Sequence, residues 1–384
     1  MTRRVAVFTG TRAEYGLLYY LMKDLDEAPD FDLRIIAGGA HFSALFGETW
    51  KDITADGFQI AARLDTDLGD GTALGTAQAM GAQLSATAKA LSDLSPWLLI
   101  ILGDRTEALA AASAALVMGV PVAHIHGGEI TEGAYDDAIR HAITKIAQVH
   151  FAAADPYRRR ILHMGEPPDR VFTVGALGLE HLSRTEPLDR AGLSQRLGFD
   201  LTAPYILATY HPETAADTPP GDGIATMLRA LDKAAPDHRL VLTYPNADAG
   251  SRDIVTAIEA AAGAQPDRVL AVRSLGRRLF PSVLRHADAF VGNSSSGIIE
   301  APAVGTPSVD IGQRQAGRLR AASIFHADPD VASIAKAIRA ALARDWDRDL
   351  PLPYGRGGAS AAILDVLRDL PDKLTKQFHD GADR

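Results

Sequence analysis

Short apolar runs recur along the chain with almost no polar residue inside them. They predict strands at Val5–Thr9, Leu33–Ala37, Trp97–Leu102, Pro121–Ile125, Val149–Ala152 and Val171–Val174. The second half predicts Tyr205–Thr209, Leu240–Thr243, Val269–Val272, Ala289–Val291 and Ser308–Ile311. Continuous apolar strands are buried on both faces, which is the habit of parallel sheets. The intervening stretches carry Ala and Leu at helical spacing. Strand–helix alternation over the whole length predicts a doubly wound α/β protein.

One pattern occurs twice. LLIILGD leads into a helix, then Gly119-Val120-Pro121 and the strand VAHI; DAFVGNS leads into a helix, then Gly305-Thr306-Pro307 and the strand SVDI. In each unit glycine can close the helix and proline can set the entry of the next strand. Two facing Rossmann-like domains are inferred, with a boundary in GALGLEHLSRTEPLDR, where apolar periodicity fades. The expected division is 1–178 and 179–359, with a C-terminal helix over 360–384 returning to the first domain. The final FHDGADR is expected to fray.

A length of 384 residues agrees with two domains, and 47% hydrophobic content suffices for two cores. The absence of cysteine excludes disulfides, thiolate metal sites and cysteine nucleophiles. MTRRVAVFTG has too few apolar residues for a signal peptide and reads as the first strand. The longest apolar stretch, Ala108 to Ile125, is broken by Ser113, Gly119, Pro121 and His124, so no membrane span is expected. A net charge of −9 argues against nucleic acid and anionic membranes as partners. A cytoplasmic location is the expectation.

Ligands of α/β sheets sit at the carboxyl ends of strands. The polar residues there are Thr9, Thr11, Arg12 and Glu14; Asp104, Arg105 and Glu107; His126 and Glu129; His211 and Glu213; Asn246, Asp248 and Ser251; Asn293 to Ser296; and Arg314 with Arg318. The first half offers carboxylates and imidazoles, the second hydroxyls, amides and arginines. That division suggests a catalytic domain and a nucleotide-holding domain. Ser294, Ser295 and Ser296 would stand at a helix N-terminus, an anion site, with Arg314 adding charge and Glu300 able to accept from ribose hydroxyls. Simple capping explains a serine run equally well. His124, His126 and Glu129 could suggest a metal, but neighbouring carboxylates suit proton transfer, and no metal is expected. Asp136 and Asp137 fall in the first turn of a helix, where they also complement its dipole. Neither a dinucleotide fingerprint nor a Walker lysine motif is present, so no cofactor is expected.

The loops TGTRAEYG, LGDRTEALA, HIHGGEITEGAYDDAIRHAITK, TYHPET, PNADAGS and GNSSSGIIEAPAVGTP with GQRQAGR together resemble the hydrolysing UDP-N-acetylglucosamine 2-epimerases, in the bacterial branch serving sialic- and legionaminic-acid synthesis. The resemblance implies a GT-B-type fold with the active site in the interdomain cleft. It implies UDP binding by Arg12, Arg105, His211, Asn246, Ser294, Ser295, Ser296, Glu300 and Arg314. Acid–base work would fall on Asp104, Glu129, Asp137 and His211, with Asp136 and His126 nearby. The non-hydrolysing branch and the animal bifunctional enzyme carry a glutamate where this chain has His126, so either Glu129 or His126 can hold that acid role. The implied product is a free manno-configured N-acetyl sugar plus UDP. The implied assembly is a homodimer or homotetramer. A GT-B glycosyltransferase and a non-catalytic nucleotide-sugar binder are the alternatives.

Overall fold

The computed structural model describes residues 2–44, 47–69, 72–130, 136–212, 220–245, 251–343, 346 and 351–380. The chain divides into two compact units, Met1–Glu180 with Gly357–Arg384, and His181–Arg356.

The first unit holds a parallel sheet of β1 (Arg3–Thr9), β2 (Phe31–Ala37), β3 (Ile60–Arg63), β4 (Leu98–Leu102), β5 (Val122–Ile125), β6 (Val149–Ala152) and β7 (Val171–Thr173). Their order across the sheet is β3-β2-β1-β4-β5-β6-β7. The chain starts in the middle, runs to one edge, then crosses back. That reversal lies between β1 and β4, the switch point where α/β sheets place ligands. β1 shows why its sequence has no polar alternation. Val5 and Val7 join the core on one face, and Ala6 and Phe8 join the core on the other. The first core also takes Leu18, Leu21 and Leu25 of the helix Arg12–Glu27, and Ile363 and Leu367 of the helix Ala359–Asp369. The opposite core uses small residues. Ala108, Ala111, Ala112 and Ala115 of the helix Thr106–Met118 are all buried, which lets backbones approach closely.

The last helix is shorter than the expected 360–384. It ends at Asp369, and a non-helical strap follows along the first unit. Arg3 bonds Leu367 O at 2.9 Å and pairs with Asp372 at 2.8 Å, while Trp97 Nε1 donates to Asp372 O at 2.9 Å. Phe378 and His379, expected to fray, make contacts: His379 N–H donates to Gly165 O at 2.9 Å, and the Lys145 ammonium lies 5.0 Å from the Phe378 ring centre.

The second unit repeats the plan with β8 (Tyr205–Thr209), β9 (Arg239–Thr243), β10 (Val269–Val272), β11 (Ala289–Gly292), β12 (Ser308–Ile311) and β13 (Ile324–Ala327). All pair in parallel, in the order β10-β9-β8-β11-β12-β13. β3 and β13 were not expected from the sequence. Both are edge strands with partly exposed residues, so neither shows a continuous apolar run. Among the described residues no helix is long and apolar enough to cross a membrane.

Candidate active site

In the first unit, polar side chains gather at the carboxyl ends of β1, β4 and β5. Thr11 caps the helix Arg12–Glu27 in a capping box with Glu14. Glu14 Oε2 accepts from Gly10 N–H at 2.7 Å and Thr11 N–H at 3.1 Å, so the amides of this turn are satisfied from within. Burial pushes the Glu14 carboxyl up to about 7, against the pull of those amides and of Arg105. Arg105 lies 3.4 Å from Glu107, and the exposed Arg12 lies 3.6 Å from Asp52.

Asp104 forms an ion pair with Arg140, which is only 5% exposed. Arg140 comes from the helix Asp136–Ile146, and its Nη1 is 3.8 Å from Asp137. His141 Nε2 lies 3.4 Å from the other Asp137 oxygen. The helix therefore presents Asp137, Arg140 and His141 together, with Arg140 reaching across to Asp104. Burial raises the Asp136 carboxyl, partly countered by Arg105.

His124 ties the two elements that carry these groups. Its Nε2 is 2.8 Å from Gly103 O, next to Asp104, and its Nδ1 is 3.1 Å from Thr144 Oγ1 on the acid-bearing helix. Burial lowers the His124 imidazolium to about 3, so it stays neutral and acts as a brace. After β5 the backbone turns sharply. His126 has φ 63°, an uncommon left-handed conformation for a non-glycine residue. Gly128 has φ +76°, and a Cβ there would meet Tyr157 O at 2.5 Å. The turn brings His126 Nδ1 to 3.0 Å from Glu129 Oε1, and Glu129 is 5% exposed.

In the second unit Asn293 is the hub. Its side chain accepts from His211 N–H at 2.7 Å and donates to His211 O at 2.9 Å. Its backbone carbonyl accepts from Arg314 Nη1 at 3.1 Å and Gln315 Nε2 at 3.0 Å. The loops after β8, β11 and β12 are thus joined around one buried amide. Gly292 before it has φ +147°, and a Cβ would fall 1.9 Å from Thr209 O, so only glycine fits. Burial, then the Arg314 charge, hold the His211 imidazole down at about 4. Ser295 is the N-cap of the helix Ser296–Ala303 but makes no side-chain cap bond. The Ser294 hydroxyl accepts from Ser296 N–H at 3.4 Å. Glu300, one turn in, pairs with His181 at 2.9 Å.

The structure thus assembles Asp104, Asp136, Asp137, His126 and Glu129 in one unit, and His211, Ser294, Ser295, Ser296, Glu300 and Arg314 in the other. Asn246, Glu213 and Asp248 lie outside the described residues. Asn293, Thr144, Glu14 and His181 have roles that no motif in the sequence assigns, although Asn293 and Glu14 stand in strand-end loops.

The family model described as UDP-N-acetylglucosamine 2-epimerase matches residues 23–368. The chain is 34% identical over 373 residues to the UDP-N,N'-diacetylbacillosamine 2-epimerase (hydrolyzing) of Legionella pneumophila, covering 97% of each. It is 36% identical over 326 residues to the GDP/UDP-N,N'-diacetylbacillosamine 2-epimerase (hydrolyzing) of Campylobacter jejuni, covering 85% of this chain and 84% of that protein. Among solved structures it resembles the UDP-GlcNAc 2-epimerase of Neisseria meningitidis bound to UDP-GlcNAc. The TM-score is 0.72 at 17% identity, over 96% of this chain and all of that one. The expected fold class, two Rossmann-like units of GT-B type, is the one found.

Proposed function

The chain belongs to the UDP-N-acetylglucosamine 2-epimerase family, and from that premise we propose that it is a hydrolysing 2-epimerase. Its substrate is a UDP-linked 2-acetamido sugar of gluco configuration, with UDP-N,N'-diacetylbacillosamine (UDP-2,4-diacetamido-2,4,6-trideoxyglucose) as the first candidate. The names and identities of the Legionella and Campylobacter relatives support that choice. UDP-N-acetylglucosamine is the second candidate, favoured by the family description. The free manno-configured sugar would enter nonulosonic acid biosynthesis.

The observation that carries the reading is the array Asp104–Arg140–Asp137–His141, with the Glu129–His126 pair on the same unit. The C2 proton of such a sugar has no adjacent carbonyl and is not acidic. Loss of UDP from C1 builds oxocarbenium character, which acidifies it. A carboxylate then takes the C2 proton while the C1–O bond breaks, leaving a 2-acetamidoglucal and UDP. Water adds its hydroxyl at C1, and a proton returns to C2 on the opposite face. Asp104 and Glu129 are assigned to these proton transfers, with Asp137, Asp136 and His126 in support.

The leaving diphosphate would be stabilised by the Ser294–Ser296 turn, Arg314 and His211, with Arg12 and Arg105 adding charge. A neutral His211 suits hydrogen bonding to phosphate better than proton donation at neutral pH. Glu300, oriented by His181, would accept from the ribose hydroxyls.

The test is incubation with each UDP-sugar in heavy water. The expected outcome is UDP and a free 2-epimerised sugar carrying deuterium at C2. Release of sugar without deuterium removes the elimination. UDP-sugar returned unchanged favours a binding protein, and transfer only when an acceptor is added favours a glycosyltransferase.

A further inference from the structure

The first unit contains a second ionic cluster, outside the acids described so far. Glu166 is fully buried and meets three nitrogen groups. Lys145 Nζ lies 2.6 Å from its Oε1, His150 Nε2 lies 3.0 Å from its Oε2, and Lys376 Nζ contacts Oε2. Hydrogen bonds from His150, Lys145 and Lys376 hold the Glu166 carboxyl down at about 2 despite burial, so it remains ionised.

Two of these partners also grip backbone. Lys376, on the C-terminal strap, donates to Ala147 O at 2.5 Å and Thr144 O at 3.3 Å. Those carbonyls close the helix Asp136–Ile146. An ammonium there satisfies orphan acceptors and opposes the negative end of the helix dipole. Lys145, in the last turn of the same helix, reaches Met164 O at 2.8 Å. The strap itself is tied down beside it by His379 N–H on Gly165 O.

From this cluster the same helix leads back to the acids. Thr144, whose carbonyl Lys376 holds, places its hydroxyl oxygen 3.0 Å from Arg140 O and 3.1 Å from His124 Nδ1. Arg140 carries Asp104, and His124 carries the Gly103 carbonyl. One end of the helix therefore holds the acids, and the other end is fixed by a residue from the far end of the sequence.

We propose that Lys376 is a positioning residue for the reaction: by capping the helix Asp136–Ile146 against Glu166, the C-terminal strap sets where Asp137 and Arg140, and through Arg140 Asp104, stand. The effect on turnover rests on the hydrolysing 2-epimerase reading; the effect on the helix does not. Lys376 touches no substrate and takes no proton in the reaction. Its removal displaces the acids, and small displacements of reacting groups cost turnover strongly.

The experiment uses the full chain with K376M, K376R and the double variant E166Q/K376M, which removes both charges and serves if K376M alone fails to fold. K376M is expected to lower kcat between about 10- and 100-fold. KM and UDP affinity should stay within about twofold of the parent, the pattern of an interaction felt only in the transition state. K376R should restore most of kcat, because it returns a cation to the same carbonyls. Hydrogen exchange across residues 139–146 should quicken in K376M and recover in K376R. A folded K376M with parental kcat, or with raised KM and parental kcat, overturns the proposal. Unchanged exchange in that helix overturns it as well, whether or not any sugar is released. If the unmodified protein releases no sugar from either nucleotide sugar, the 2-epimerase reading falls, while the exchange data still decide the role of the strap.

Discussion

Two helix N-termini, one in each unit, are finished in opposite ways. Ahead of the helix Arg12–Glu27 the turn supplies its own acceptor: Glu14 takes the Gly10 and Thr11 amides, and the Thr11 hydroxyl takes the Glu14 amide at 3.3 Å. Ahead of the helix Ser296–Ala303, Ser295 makes no side-chain cap bond, and hydroxyls and an arginine stand around the turn instead of a carboxylate. A turn whose amides are taken by its own side chain has no donors left there for a phosphate, whereas serines and Arg314 stand around the other. The contrast supports assigning acids to the first unit and the diphosphate to the second.

The sharpest break of that assignment is D104N. Turnover should fall about 100-fold or more, the weight of an acid–base group, while calorimetric UDP affinity stays at the parental value. Lost UDP affinity with intact turnover would reverse the two roles. Next comes S294A/R314A in the second unit. Charge-assisted hydrogen bonds contribute about 1.5–3 kcal/mol each, so losing both should weaken UDP binding about 100-fold or more. Unchanged affinity would move the phosphate elsewhere.

The third prediction concerns pH. Glu14 has a folded pKa of about 7 against an ordinary 4.5. Below the lower value it is protonated whether folded or not and costs nothing. As pH rises from the lower value to the upper, the unfolded chain gives up the proton that the folded protein keeps, so stability falls across that window and levels off above about 7. E14Q should flatten this fall by about 3 kcal/mol, read from denaturant midpoints at pH 4.5 and 7.5. A parental slope in E14Q would mean the carboxyl is not the group responsible. The smallest effect is a matched pair of cap deletions. T11A should cost about 1 kcal/mol, and S295A a few tenths at most, because only the threonine makes a cap bond. Equal costs, measured by thermal melting, would erase the contrast.

Much of this was legible from the sequence because chemistry and pattern coincide at strand ends. β4 is continuously apolar and Asp104 follows it, so the residue stands out. The edge strands β3 and β13 were not legible because half-exposed residues break the apolar run. Asn293 was seen as one polar residue in a loop, but its role is to bond the backbone of His211, 82 residues away, which no local spacing reveals. Glu166 and Lys376 are 210 residues apart, and nothing in either neighbourhood announces the other. His126 was visible as chemistry, yet its left-handed backbone depends on the Gly127-Gly128 turn packing under Tyr157.

The first unit is completed only by residues after position 356, and Arg3 of β1 is held by Leu367 and Asp372. During synthesis on a ribosome the second unit, residues 181–356, is made in full before that last piece is added. The acid-bearing unit, although most of it is made first, is therefore completed by residues made after the whole of the second unit.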